Sequence, residues 1–354
     1  MISLHALHRR VSLDGLYRRL LLRASKPNES VESSAFKLRV ARIWDAVFYR
    51  PFEPSDPDFD LVCIVPPASK GWILDGVCKE ILRYFPGKGC ITYDQRNVPS
   101  SRAYFFAHYM QLKDVVLYSP QILRRRLLVW FTHPRDVGMR NEDLTYWLNQ
   151  TDWVIPMCSH FMLMLQGEGV SSERLAVVIG GADADFFPGH ARTADGAVGI
   201  CSAYYERKDP DRILHLVKKM PHRRFILLGR NWAQYTHFGE LSACPNFEYL
   251  EAEYDQYPAY YKRLSVFVSP SRLEGGPIPL LESMMENVVP VASDTGFARD
   301  VIEHGVNGYI FPVDADIEVV CSYVDLAFQN ASDIRASVQH VTWERFSKGI
   351  QALL

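Results

Sequence analysis

No stretch of about 18 or more consecutive apolar residues occurs in this 354-residue chain, so no segment reads as a bilayer span. Cysteine offers no metal framework. The seven residues, at 63, 78, 90, 158, 201, 244 and 321, are scattered, odd in number and mostly set inside apolar runs. They lack the paired spacing of a zinc site and read as reduced core thiols of a cytosolic protein. Charge of one sign is also missing: a net charge of −2 gives no global attraction to nucleic acid. The first 26 residues hold Arg9, Arg10, Arg18, Arg19, Arg23 and Lys26 against Asp14 alone. They lack an uninterrupted apolar core and a small-residue cleavage site, so a secretory leader is not expected and the location is expected to be cytoplasmic.

What is present is ordinary globular material, 48% apolar and 23% charged. The length suits two domains of roughly 150 residues or more. Residues 1–57 do not read as an α/β unit. Leu13, Leu16, Tyr17, Leu20 and Leu21 recur at helical spacing with cations between them, a basic amphipathic helix. The polar stretch 25–34 follows as a linker, and Pro51–Asp58 is a further break. Beyond it, short apolar runs alternate with helical segments. The runs are Leu61–Val65, Leu127–Phe131, Trp153–Met157 and Leu175–Ile179, then Val198–Cys201, Phe225–Leu228, Phe247–Leu250, Leu264–Val268, Val288–Ala292 and Tyr309–Phe311. This alternation predicts parallel sheets covered on both faces, in two doubly wound Rossmann-like domains. The strand-poor stretch 180–196 reads as the linker between them, and a ligand is expected in the cleft between strand ends. The domains are read as 1–57, an N-terminal helical extension; 58–188 plus the last helix, 340–354; and 189–339.

One segment carries the most chemistry. The run Leu264–Val268 enters Ser269-Pro270-Ser271-Arg272-Leu273-Glu274-Gly275-Gly276-Pro277, and a helix is expected to start near Pro277. Amide groups at a glycine-rich helix start are unpaired and suit an anion. Glu274 and Glu282 bracket that start with seven residues between them, about two helical turns, so both can face one ligand. Pro277 donates no N–H, which leaves Gly275, Gly276 and Ile278 as the backbone candidates. The pairs Asp183/Asp185 and Asp314/Asp316 mimic a metal-binding Asp-x-Asp, but one lies in the linker and the other where Asp caps a helix. The tyrosines between Tyr254 and Tyr261 read as helix packing rather than a platform for bases.

Together these residues resemble the family 4 retaining glycosyltransferases of the GT-B fold, with Glu274 to Glu282 matching that family's Glu-x7-Glu signature. Val288–Gly296, Gly305–Tyr309, Val177–Asp183 with Phe187 and Pro188, and the Thr342–Phe346 helix resemble further family segments. The resemblance spans roughly residues 58–354. It implies that Glu274 contacts donor-sugar hydroxyls, Glu282 holds the ribose and Lys208 neutralises the diphosphate. The arginine usual after the first strand of that domain is absent; Ser202 stands there, with Arg207 or Arg230 as substitutes. Leu250 and Ser202 join the donor-binding set by position. His133, at a strand end, resembles the family histidine near the scissile bond, with Arg135 and Asp136 beside it. Gly71 is a weak phosphate or acceptor contact.

The implied reaction moves a sugar from a nucleoside diphosphate to an acceptor hydroxyl with retention, without a resident cofactor or metal, probing neither nucleic acid nor a membrane span. Two alternatives stay open: a nucleotide-sugar epimerase of the same fold, and a non-catalytic partner protein that keeps it. The basic segment 1–26 likewise admits two readings, packing on the first domain or peripheral contact with an anionic membrane carrying a lipid-linked acceptor.

Overall fold

Runs of apolar residues become strands buried on both faces. In β4 (Arg126–Phe131) every residue from Leu127 to Phe131 is at most 1% exposed, as expected for parallel strands covered on both sides. The computed structural model describes residues 29–52, 56–134 and 141–354, together with Tyr17. The expected basic helix around Leu13–Leu21, apart from Tyr17, lies outside the described residues, as do Arg135 and Asp136. The chain divides into two compact units: Met1–Pro156, Phe161–Val178 and Ser347–Leu354 form one, Met157–His160 and Ile179–Phe346 the other.

The first unit has a five-stranded parallel sheet. Besides β4 it contains β1 (Phe59–Ile64), β2 (Gly89–Thr92), β3 (Ser101–Phe106) and β5 (Trp153–Pro156), in the order β2-β1-β3-β4-β5. The sequence pattern missed β2 and β3. The first is a short edge strand opening on Gly89, and the second opens on the polar pair Ser101-Arg102. The expected strand at Leu175–Ile179 is corrected to a connector that makes a single bridge, Val154 to Leu175. Ala176 N–H donates to Val154 O at 3.2 Å, but the next donor in that ladder would be Pro156, which has no N–H.

The expected linker 25–34 is also corrected at its end, because a helix, Val31–Trp44, starts there behind the Ser30 cap. It is clamped by buried charge. Lys37 pairs with Glu29, and Lys113 Nζ reaches Glu29 Oε2 at 2.7 Å and Asp143 Oδ2 at 3.0 Å. Trp147 Nε1 donates to Ser34 Oγ at 3.1 Å. Tyr17 stacks on Trp44 at 4.6 Å and donates to Leu117 O at 2.8 Å.

The second unit has six parallel strands: β6 (Ala197–Cys201), β7 (Phe225–Leu228), β8 (Phe247–Leu250), β9 (Leu264–Ser269), β10 (Val289–Ser293) and β11 (Tyr309–Phe311). Their order is β11-β10-β9-β6-β7-β8. Counted within the unit this is the doubly wound order 3-2-1-4-5-6 read from the β8 edge, with its switch point between β6 and β9. Loops leaving adjacent strands diverge there to opposite faces of the sheet, opening a crevice at the strands' C-terminal ends.

Candidate functional site

The loops after β6 and β9 meet at this switch point. After β6 the chain runs through Ser202 to a short turn, Glu206–Lys208, and then the helix Pro210–Lys219. Asp209, between turn and helix, sits at φ +54°, a left-handed conformation unusual for a residue with a Cβ. It is buried and held there by ion pairs with Arg212 at 3.1 Å and Arg272 at 3.2 Å. This fixes the direction of the preceding pair, Arg207 and Lys208. Sequence reasoning passed over Asp209, although an acid before Pro210 is a helix-start signal.

After β9 the chain turns through Glu274-Gly275-Gly276 into the helix Ile278–Met285, with Pro277 at its cap. A Cβ on Gly276 would sit 2.4 Å from Met157 Cε and 2.7 Å from the Phe297 ring, so only glycine lets the turn lie this close to its support. Leu280 N–H bonds Pro277 O at 2.8 Å. Among the described residues the N–H groups of Gly275, Gly276 and Ile278 have no acceptor within the chain. These amides and the helix dipole make a positive rim.

Glu274 is 5% exposed. Its Oε1 accepts from Lys208 Nζ and, at 2.7 Å, from Ser271 Oγ; its Oε2 accepts from Arg207 Nη1 at 3.0 Å. Arg207 Nη1 also donates to Leu273 O at 2.9 Å, and Arg207 O accepts from Arg272 N–H at 2.8 Å. Burial alone would raise this carboxyl's pKa; the Lys208 and Arg207 cations, with hydrogen bonds from Lys208 and Ser271, outweigh it and hold it at about 2. Two cations face one carboxylate, so the cluster carries a net positive charge beside the unpaired amides.

Glu282 is in the opposite situation. It is 2% exposed and accepts from Tyr254 Oη at 2.8 Å and Tyr261 Oη at 2.9 Å. Burial pushes its carboxyl up to about 7, although both hydroxyls favour the ionised form. The tyrosine-rich stretch, expected to be packing only, therefore also supplies both hydrogen bonds to this acid. No spacing signal marks that role, because Tyr254 and Tyr261 reach Glu282 across the fold.

Of the other candidates, Ser202 lies beside Lys208 in a recess also lined by Ser269, Ser271, Pro277 and Pro279. Its carbonyl accepts from Trp232 Nε1 at 2.8 Å. Leu250, at the end of β8, accepts from Gly229 N–H at 3.0 Å. The two candidate replacement cations part company. Arg207 joins Lys208 on Glu274, whereas Arg230 is half exposed and lies 3.7 Å from Glu253.

His133 and Gly71 belong to the first unit. His133 follows β4, is 9% exposed, and its carbonyl accepts from Tyr109 Oη at 3.1 Å. Beside it, His108 at the end of β3 accepts Met110 N–H on Nδ1 at 3.2 Å, so in its neutral form Nε2 carries the proton facing Thr132 Oγ1 at 3.3 Å. The sequence reading missed His108 because it missed β3. Gly71 takes φ +78°, and its N–H is engaged by Asp75 Oδ2 at 3.0 Å.

No curated protein matches the chain in sequence. In structure it is similar to HepE of Anabaena, solved with UDP-glucose: 14% identity, 83% of this chain and 98% of that one, TM-score 0.68. It is also similar to sucrose-phosphate synthase from Thermosynechococcus elongatus, with 17% identity, 72% and 73% coverage and TM-score 0.62. A third is the lipopolysaccharide outer core galactosyltransferase WaaB, solved in its apo form, with 11% identity, 83% and 100% coverage and TM-score 0.62. At these identities the likeness establishes the GT-B fold. Residues 185–339 match the family model "Glycosyl transferases group 1". That matching stretch spans β6 to β11 and holds both bracketing acids.

Proposed function

We propose that the protein transfers a sugar from a nucleoside diphosphate to an acceptor hydroxyl with retention of anomeric configuration. The observation that carries this reading is the Arg207–Lys208–Glu274 cluster beside the acceptorless amides of Gly275, Gly276 and Ile278. A diphosphate placed there meets two cations and a helix start, which is where negative charge grows as the sugar leaves. Electrostatic stabilisation of this kind is usually the largest single catalytic contribution.

Glu274 has two tasks in this account. Its charge is fixed, so it anchors Lys208 and Arg207 for the diphosphate and accepts hydrogen bonds from donor-sugar hydroxyls. Glu282, one helical flank away, accepts from the ribose hydroxyls. In a same-face substitution the bond from the anomeric carbon to the leaving phosphate oxygen breaks on the face where the acceptor oxygen bonds. The departing phosphate oxygen takes the acceptor proton, so no side-chain nucleophile is called for. The chain's contribution is then positioning and charge. The roles of His133 and Gly71, in the first unit, rest on the family resemblance alone. A carbohydrate or lipid-linked acceptor, in polysaccharide or glycolipid assembly, fits the company of WaaB, by name a lipopolysaccharide outer core galactosyltransferase.

A thermal-shift panel of nucleoside diphosphates and nucleotide sugars tests the reading, because a ligand at about 100 times its Kd stabilises by roughly 2.7 kcal/mol. A selective shift with one nucleoside diphosphate and its sugars, followed by slow release of free sugar from the same donor, is expected. Isomerised donor without released sugar would favour an epimerase. No shift with any nucleotide would contradict the site.

A further inference from the structure

In the first unit, the helix Val31–Trp44 and its continuation Asp45–Tyr49 carry an unusual outer face. The inward residues are Ser34, Lys37, Leu38, Ala41 and Asp45. Outward, Phe36 and Ile43 are each 65% exposed and Val47 is 55% exposed. They are spaced seven and four residues apart, which keeps them along one side of a helix. Arg39, Arg42 and Arg50 are exposed on the same element.

This face cannot turn inward. Rolling the helix would pull Lys37 from Glu29, Asp45 from Arg124 (2.8 Å) and Ser34 from Trp147. Buried pairs broken on one side leave a charge without compensation, which is strongly unfavourable. The apolar stripe is therefore presented outward by design of the interior.

The sequence adds a second, independent observation. Residues 1–50 hold ten Lys and Arg against four Asp and Glu, a surplus of six; the remaining residues hold 29 against 37, a deficit of eight. In sequence, the positive charge of a nearly neutral chain is thus concentrated in the segment that contains the stripe, and Arg39, Arg42 and Arg50 are exposed on that element itself. Large apolar side chains flanked by arginine suit a surface whose outer layer is anionic and whose interior is hydrocarbon. We propose that the outer face of Val31–Tyr49 docks on an anionic lipid bilayer, with Phe36, Ile43 and Val47 entering the headgroup boundary and Arg39, Arg42 and Arg50 meeting phosphates. The inference does not depend on the donor site.

Vesicle sedimentation of the full chain tests it, with phosphatidylcholine alone and mixed with phosphatidylglycerol. Wild type is expected to pellet only with the anionic vesicles, and to release at about 1 M salt, where the screening length shrinks to about 3 Å. The stripe variant Phe36→Glu/Ile43→Glu/Val47→Glu is expected to lose binding about tenfold or more. The charge variant Arg39→Glu/Arg50→Glu is expected to weaken it in the same direction. Because all five residues are exposed, circular dichroism and the unfolding midpoint should match wild type. Three results would overturn the proposal: wild type that never pellets, a stripe variant that pellets like wild type (placing the contact in residues 1–28), or a stripe variant that instead dissolves a dimer of wild type.

Discussion

Glu274 and Glu282 are the same residue type on one continuous segment, both buried, yet their carboxyls are driven in opposite directions. At the helix mouth, Lys208 and Arg207 outweigh burial and hold Glu274 ionised at any moderate pH. On the helix flank, Glu282 has only tyrosine hydroxyls, and burial raises it to about 7. The difference teaches how two acids can divide one ligand. In the proposed function the charge-locked acid would organise cations for the diphosphate, and the proton-poised acid would meet sugar hydroxyls. Paired titratable groups whose environments push them apart commonly mark a functional site.

The comparison can be broken at either acid. The largest effect is expected from Glu274→Ala, which leaves Arg207 and Lys208 facing each other near a buried surface; breaking such a pair costs about 3–5 kcal/mol. Thermal or urea unfolding should show it, and an unchanged midpoint would mean the cluster is far more hydrated than its burial suggests. Lys208→Ala is expected to slow transfer by roughly 10²–10³-fold with a smaller change in donor affinity, since the leaving charge grows in the transition state. Turnover with the donor found by thermal shift gives the split between kcat and KM.

The flank acid offers a pH signature. Glu282 moves from 4.5 to about 7 on folding, so between those values the native state holds a proton that the unfolded chain has lost. Its contribution is fully present below pH 4.5 and falls away as pH rises through 7, by an amount on the order of 3 kcal/mol at 1.36 kcal/mol per unit. Stability should therefore decline from pH 5 to 8 in wild type and decline less in Glu282→Gln. Glu274 has the opposite sign: its contribution is present above pH 4.5 and is lost as pH falls toward 2. Tyr254→Phe removes one hydroxyl from Glu282 and is expected to cost about 1 kcal/mol, and to raise the Glu282 midpoint further. Arg230→Ala should be the mildest change, below about 1 kcal/mol, because its partner Glu253 is exposed.

The second unit was legible in the sequence because its strands are mostly apolar runs, broken only by single residues such as Glu248 and Ser265, and its glycine-rich turn follows one of them directly. Every run read there, from Val198 to Phe311, forms a strand within one or two residues of its expected bounds. The first unit was harder. β3 hides behind Ser101 and Arg102, and the run Leu175–Ile179 looks like a strand but meets Pro156 instead of a donor. The helix Val31–Trp44 escaped notice because its inward face carries Ser34 and Lys37, residues that only make sense beside Glu29 and Trp147. At the site, Glu274 and Lys208 were readable from local motifs. Asp209 and the two tyrosines on Glu282 were not, since their contacts join residues distant in sequence.

The most direct test of the central claim is a crystal structure of the protein with a bound nucleoside diphosphate. The diphosphate should lie within hydrogen-bond reach of the Gly275, Gly276 and Ile278 amides and Lys208, with the ribose hydroxyls on Glu282. A nucleotide bound elsewhere, with Lys208 and Arg207 still closed on Glu274, would contradict it.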